Sequence, residues 1–212
     1  MKMKSSLFDW CNYVYWLMAL LIITQTDKLS LHIFFNGFAN PIGDFLMPHL
    51  TNVGDGLVLL LFAFFVFLFR SRKLALILFI AFLVSSGLVQ FLKHFVFENH
   101  MRPMYVFQHV KGFHQIKDFH YHMSQSFPSG HATSSFVLFT FIAMNYAKSA
   151  KGQIVCFIGA LFFAFTRVYL SQHYFEDMFV GSMIGFLCMK YTQVFLSQSF
   201  QQLDSPLNLS KK

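Results

Sequence analysis

His173 and Asp177 stand four residues apart. At that spacing two side chains share a helix face, so the carboxylate can accept a hydrogen bond from one ring nitrogen and leave the other free. A neutral imidazole oriented in this way serves as a nucleophile or as a base. Arg167, six residues before the histidine, adds a planar fork that matches phosphate oxygens. Each feature also has a plain structural reading: a His-x-x-x-Asp pair caps the start of a membrane helix, and an arginine at a span end snorkels to the interface.

A second group lies upstream. In Phe127-Pro128-Ser129-Gly130-His131, Pro128 and Ser129 set up a helix start, and Gly130 lets backbone approach a ligand. The free N–H groups of such a start make an anion site. His131, held there, is placed to exchange a proton with a bound phosphate ester, although the motif alone also reads as an ordinary cap. Lys93 and Arg102-Pro103 add two more cations, which taken singly would be interfacial anchors. Together, cations, two histidines, an aspartate and a helix N-terminus suit phosphoryl transfer without a metal or cofactor.

The composition says what must hold these residues. Of 212 residues, 56% are hydrophobic and only 12% charged, with 31 Phe, which is too apolar for an ordinary soluble domain. The chain reads as an all-α integral membrane protein in one unit over 1–212, its partner the lipid bilayer. The net charge of +7 does not form the basic stripe that a nucleic-acid partner needs, because the cations fall at the ends of apolar runs. Cys11, Cys156 and Cys188 have neither disulfide nor zinc spacing. The sequence sets no oligomeric state.

Six spans are expected at about 8–25, 55–69, 73–92, 130–147, 153–170 and 177–196. The first follows Met-Lys-Met-Lys without a small-residue cleavage site and reads as uncleaved. The second is short and borrows turns from the segment before it. Between the first two, residues 26–53 predict two short interfacial helices, one starting with Asn40 as cap, Pro41 and Asp44, and with Gly54 as a stop. Residues 93–128 form a loop, and 198–212 a frayed polar tail.

With the N-terminus inside, that side receives Lys2, Lys4, Arg70, Arg72, Lys73, Lys148, Lys151, Lys190, Lys211 and Lys212, so the positive-inside rule favours both termini inside. This bundle of six transmembrane helices brings the loop, the start of the fourth span and the junction of the fifth and sixth to the outer face. His109, His114, His120 and His122 cluster in that loop. With no Cys or His-Glu-x-x-His spacing beside them, they read as a cover for a lipid headgroup, with Lys111 and Lys117 near its anionic groups, and not as a metal site.

Lys93 to Arg102-Pro103, Pro128-Ser129-Gly130-His131 and Arg167 to His173 to Asp177 together resemble the three signature motifs of the type 2 phosphatidic acid phosphatase family of membrane lipid phosphatases, related to vanadium haloperoxidases. The likeness covers about residues 30–195. Two departures stand out: eight residues separate Lys93 from Arg102 where the family usually has about six, and Thr166 replaces the usual serine while keeping a hydroxyl. The resemblance implies that His173 attacks phosphorus to form a phosphohistidine, Asp177 orients it, and His131 protonates the leaving group and later activates water. By the same resemblance Lys93, Arg102, Arg167, Ser129 and Gly130 hold the phosphate oxygens. The implied substrate is a membrane lipid phosphate or diphosphate: a polyprenyl diphosphate, phosphatidic acid, phosphatidylglycerol phosphate or a lipid A phosphate. A lipid phosphotransferase with the same site is the neighbouring reading. A transporter or lipid-binding protein without chemistry is disfavoured, because the charges sit at span ends and not at mid-membrane.

Overall fold

Short polar caps divide the apolar sequence into helices. In the computed structural model, which describes residues 5–199, the elements are α1 (Leu7–Gln25), α2 (Lys28–Asn36), α3 (Pro41–Leu50), α4 (Gly56–Phe69), α5 (Arg72–Phe91), α6 (Pro103–Phe107), α7 (Gly130–Asn145), α8 (Ala150–Tyr169) and α9 (Phe175–Ser199). There are no strands among the described residues. Side chains of Ser6, Asp27, Asn40, Asp55, Ser71, Ser129 and Ser149 accept from the first free N–H groups of α1 to α5, α7 and α8, donors that would otherwise be unpaired in an apolar medium.

Helices fall on all six expected spans, with starts moved by these caps: Ser149 begins α8 three residues before the expected 153. Four helices (α1, α5 with the turn that continues it, α8 and α9) are long and apolar enough to cross a bilayer. A fifth crossing arises if Pro41–Gly54 and Gly56–Phe69 are taken together as a pair bent by 52°. The bend lies at Asp55, just after the 3₁₀ turn Thr51–Gly54 that ends the first of the two segments. The expected interfacial helices are α2 and α3, and Gly43 N–H donates to Asn40 Oδ1 at 2.9 Å as the cap requires. The polar tail beyond Ser199 lies outside the described residues.

The centre of the bundle is α7, which packs on α5, α8 and α9 and buries Phe136, Val137 and Phe141. Close approach to α9 depends on small residues: a Cβ on Gly185 would collide with the Thr133 carbonyl, and one on Gly181 would lie 2.6 Å from the Ser129 carbonyl. Small residues let membrane helices pack at backbone contact. They bring the start of α7 against the start of α9. Large apolar side chains face outward instead, including Trp10, Leu17, Phe64, Phe91 and Ile158, as lipid contact requires. Cys156 is buried, Cys11 and Cys188 partly so, and all three thiols are free.

Candidate active site

The ends of α5 and α8, the starts of α4, α7 and α9, and residues 97–128 meet at one end of the bundle. Here the chain runs from α8 into α9 through the turn Leu170–Tyr174. His173 lies in this turn, ahead of the helix that the i, i+4 spacing suggested, because α9 starts only at Phe175. Asp177, in the first turn of α9, reaches back. Its Oδ2 accepts from Tyr174 N–H at 2.9 Å and from the Ser126 hydroxyl, and lies 3.3 Å from His173 Nδ1.

Both residues are buried, His173 at 2% exposure and Asp177 at 0%. The contact assigns the proton to Nδ1, which leaves the Nε2 lone pair free. Arg102 Nη1 stands 3.5 Å from that Nε2. Burial, reinforced by the charges of Arg102, Lys93 and Arg167, holds the His173 pKa well below the ordinary histidine range, so the ring is neutral at physiological pH.

Three cations face this histidine. Arg102 is anchored by its backbone N–H to Met123 O at 2.9 Å and by its Nε to Ser124 O at 2.8 Å. Burial, partly offset by the Asp177 carboxylate, brings its pKa down to about 10, still fully charged at neutral pH. Arg167, from the last turn of α8, donates to Thr51 Oγ1 and Gln172 Oε1, each at 3.4 Å, while its buried Nε has no protein partner. Lys93 donates to Gln125 O at 2.8 Å. It sits in a π-helical turn, Leu92–Val96, closed by Phe97 N–H to Leu92 O. That turn and the following turn at His100 take up the longer spacing between Lys93 and Arg102. π-turns recur at functional sites.

The start of α7 completes the site. Ser129 N–H donates to Asp177 O at 3.0 Å, and Ser129 Oγ accepts from Ala132 N–H at 3.3 Å, which leaves its hydroxyl proton available. A Cβ on Gly130 would meet only Val89, at 3.9 Å, so there is open space beside it. His131 Nε2 lies 3.7 Å from Asp55 Oδ2. Thr166 keeps its hydroxyl in the packing, 3.0 Å from Thr51 Oγ1 and 2.6 Å from Phe163 O.

All eight residues singled out from the sequence thus come to one end of the bundle. Four others were not anticipated: Asp55 beside His131, Ser126 on Asp177, Thr51 on Arg167, and Gln172 between the two arginines. Of these, Gln172 carried a signal in the sequence, a polar residue next to the histidine in a buried turn. The rest depend on contacts distant in sequence.

The loop is docked as a unit. His114 Nε2 meets both carboxylate oxygens of Asp44, at 2.9 and 3.0 Å, and its backbone exchanges two hydrogen bonds with the Asn36 amide. Lys111 and Lys117 are exposed. His120 and His122 pack edge to face, 5.1 Å between ring centres. Burial and then the Arg102 charge lower the His122 pKa, which places this pair at the rim of the cationic pocket. Among the described residues no three His, Cys, Asp or Glu side chains are grouped as metal ligands.

Fold and site together define a helical integral membrane protein with a buried His–Asp pair facing a cluster of cations. Residues 73–200 match the PAP2 superfamily, and the chain belongs to it. The crystal structure of LpxE from Aquifex aeolicus superimposes with a TM-score of 0.66 and 26% identity, over 79% of this chain and 94% of that one. That of the first transmembrane PAP2 type phosphatidylglycerolphosphate phosphatase from Bacillus subtilis gives 0.61 at 18% identity, over 90% and 96% of the two chains, and shares the fold. No curated protein sequence matches the chain.

Proposed function

We propose that this chain is a metal-independent lipid phosphatase that works through a phosphohistidine on His173. The reading rests first on one contact: Asp177 occupies His173 Nδ1 and leaves Nε2 turned toward Arg102, where a phosphate held by the arginine would present its phosphorus. Family membership and the two crystal-structure neighbours support the activity.

In the first step Nε2 attacks phosphorus as the P–O bond to the leaving group breaks, and His131 donates its proton to the departing oxygen. Asp55, 3.7 Å from His131, and the negative charge of the bound phosphate together favour the protonated form of its ring. In the second step His131 takes a proton from water as that water attacks the phosphohistidine, phosphate departs and His173 is regenerated. Lys93, Arg102, Arg167, the Ser129 hydroxyl and the Gly130 N–H bind the phosphoryl oxygens and stabilise the charge that builds on them. The unpartnered Arg167 Nε offers one donor for this purpose. Asp177 holds the tautomer.

The whole of 1–212 acts as one domain that crosses the membrane six times, with the site on the outer face, in keeping with the bias of lysine and arginine. The compact chain and its basic inner side suit a bacterial inner membrane, with the site toward the periplasm. There the apolar part of a lipid stays in the bilayer while its phosphomonoester or diphosphate headgroup reaches the cations.

The test is phosphate release by purified protein from a panel of lipid phosphates and diphosphates, without an acceptor lipid and with EDTA present. Release that is abolished in His173→Ala and His131→Ala is expected. No release without an acceptor, together with phosphorylation of an added acceptor lipid, would make it a phosphotransferase, and loss of activity in EDTA would overturn the metal-independent mechanism.

A further inference from the structure

Two buried guanidiniums, one on a loop and one on α8, repel each other, and a group between them that accepts hydrogen bonds from both offsets part of that cost. Gln172 lies there, fully buried at 0% exposure. Its Oε1 accepts from Arg102 Nη1 at 3.0 Å and from Arg167 Nη2 at 3.4 Å. Its backbone carbonyl accepts from Arg102 Nη1 at 3.1 Å, and its backbone N–H donates to Arg167 O at 2.9 Å. The remaining end of the amide, Nε2, donates to His120 O at 3.4 Å, so one side chain touches both arginines and the rim of the loop.

The turn that carries it is fixed from behind. Ser171 adopts φ +51°, a left-handed conformation that a non-glycine residue holds only when its surroundings impose it. Its Oγ is 3.1 Å from Nε2 of buried His32, and His32 is packed among Phe107, Phe113 and Tyr174. With Ser171 set in this way, Gln172 points between the arginines while His173, the next residue, faces the same space.

An amide suits this place for a chemical reason. Its carbonyl oxygen has two lone pairs and serves both arginines. Being neutral, it aligns the guanidiniums without cancelling the positive charge that a phosphate must meet; a carboxylate would cancel it.

We propose that Gln172 is the positioning residue that sets Arg102 and Arg167 as a matched pair for the phosphoryl group, an inference that rests on the phosphatase reading above. The test uses the full-length protein and a lipid phosphate that the wild type hydrolyses, with inorganic phosphate as the inhibitor probe. In Gln172→Leu the shared acceptor is gone: kcat falls about 10- to 100-fold, as misplacement of binding groups does, and phosphate inhibits less. In Gln172→Glu the acceptor stays but its charge competes with substrate, so KM and the inhibition constant for phosphate rise about tenfold or more. Besides Asp177, His173 faces Arg102, Lys93, Arg167 and His131. A new carboxylate among them moves the acid limb of the pH profile upward by about one unit or more, which loss of packing alone would not do.

Unchanged KM, phosphate inhibition and acid limb in Gln172→Glu would overturn the proposal, even if Gln172→Leu failed to fold. His173→Ala separates the two ideas. Turnover in that variant defeats the His173 mechanism on which this inference rests, whereas an inactive His173→Ala beside unaltered Gln172 variants defeats only the role given to Gln172.

Discussion

Asp177 Oδ2 lies 3.3 Å from His173 Nδ1 while also accepting from Tyr174 N–H and the Ser126 hydroxyl. One carboxylate oxygen therefore fixes both the backbone of the turn and the tautomer of the ring. Asp177→Asn keeps the volume and removes the charge, and an amide can present the wrong partner to Nδ1. We expect kcat to fall about 10²- to 10⁴-fold, as loss of a histidine-orienting carboxylate does, with KM little changed, measured by phosphate release. A loss below about threefold would show that the contact only caps α9.

The pH dependence follows from the direction of the His173 shift. Burial and neighbouring cations lower its pKa from the ordinary 6.5, so the nucleophile stays neutral as pH falls through that value. The acid limb of kcat/KM is therefore expected below pH 6.5. In stability the same depression works the other way: below pH 6.5 the unfolded chain takes up the proton more readily, so the His173 contribution to stability is lost as pH falls. An acid limb at pH 7 or above would contradict this assignment.

Asp55 has two tasks that can be separated. Its Oδ1 caps α4 through Leu57 N–H at 2.8 Å, and its Oδ2 lies 3.7 Å from His131. Asn is as good a cap as Asp, so Asp55→Asn should fold normally yet lose about tenfold or more in kcat, within the range of a weakened general acid. Asp55→Ala should lose the cap as well, about 1 kcal/mol. Equal activity of wild type and Asp55→Asn would remove Asp55 from the mechanism.

The apolar runs made the helices legible in the chain, and two helix starts could be read from their caps, Asn40-Pro41 and Pro128-Ser129; the other caps emerged only with the structure. The site residues were legible because Arg167, His173 and Asp177 lie within eleven residues and the Pro128 to His131 turn is itself a helix start. What escaped depends on distant partners. Asp55 reads in sequence only as the first residue of the expected second span, and Ser126 as one serine in a loop. The Lys93 spacing had no sequence explanation until the π-helical turn at Leu92–Val96 was seen. His173 was expected on a helix, but the cap made by Asp177 on Tyr174 N–H starts α9 later.

Gly185 sits where α9 touches the Thr133 carbonyl, and this contact sets the distance between the two halves of the site. Gly185→Val is expected to force α7 and α9 apart, destabilising the protein by about 1–3 kcal/mol and lowering turnover with it. Thermal unfolding in detergent and phosphate release check both. Normal stability would mean that the helices can separate without strain.

The most direct measurement is rapid quenching of the enzyme during turnover of a lipid phosphate labelled in its phosphoryl group, followed by peptide mapping. An acid-labile, alkali-stable label on His173 is expected, absent in His173→Ala and accumulating in a His131 variant that is slow to hydrolyse it. Full turnover with no label on His173, or label on another residue, would contradict the mechanism.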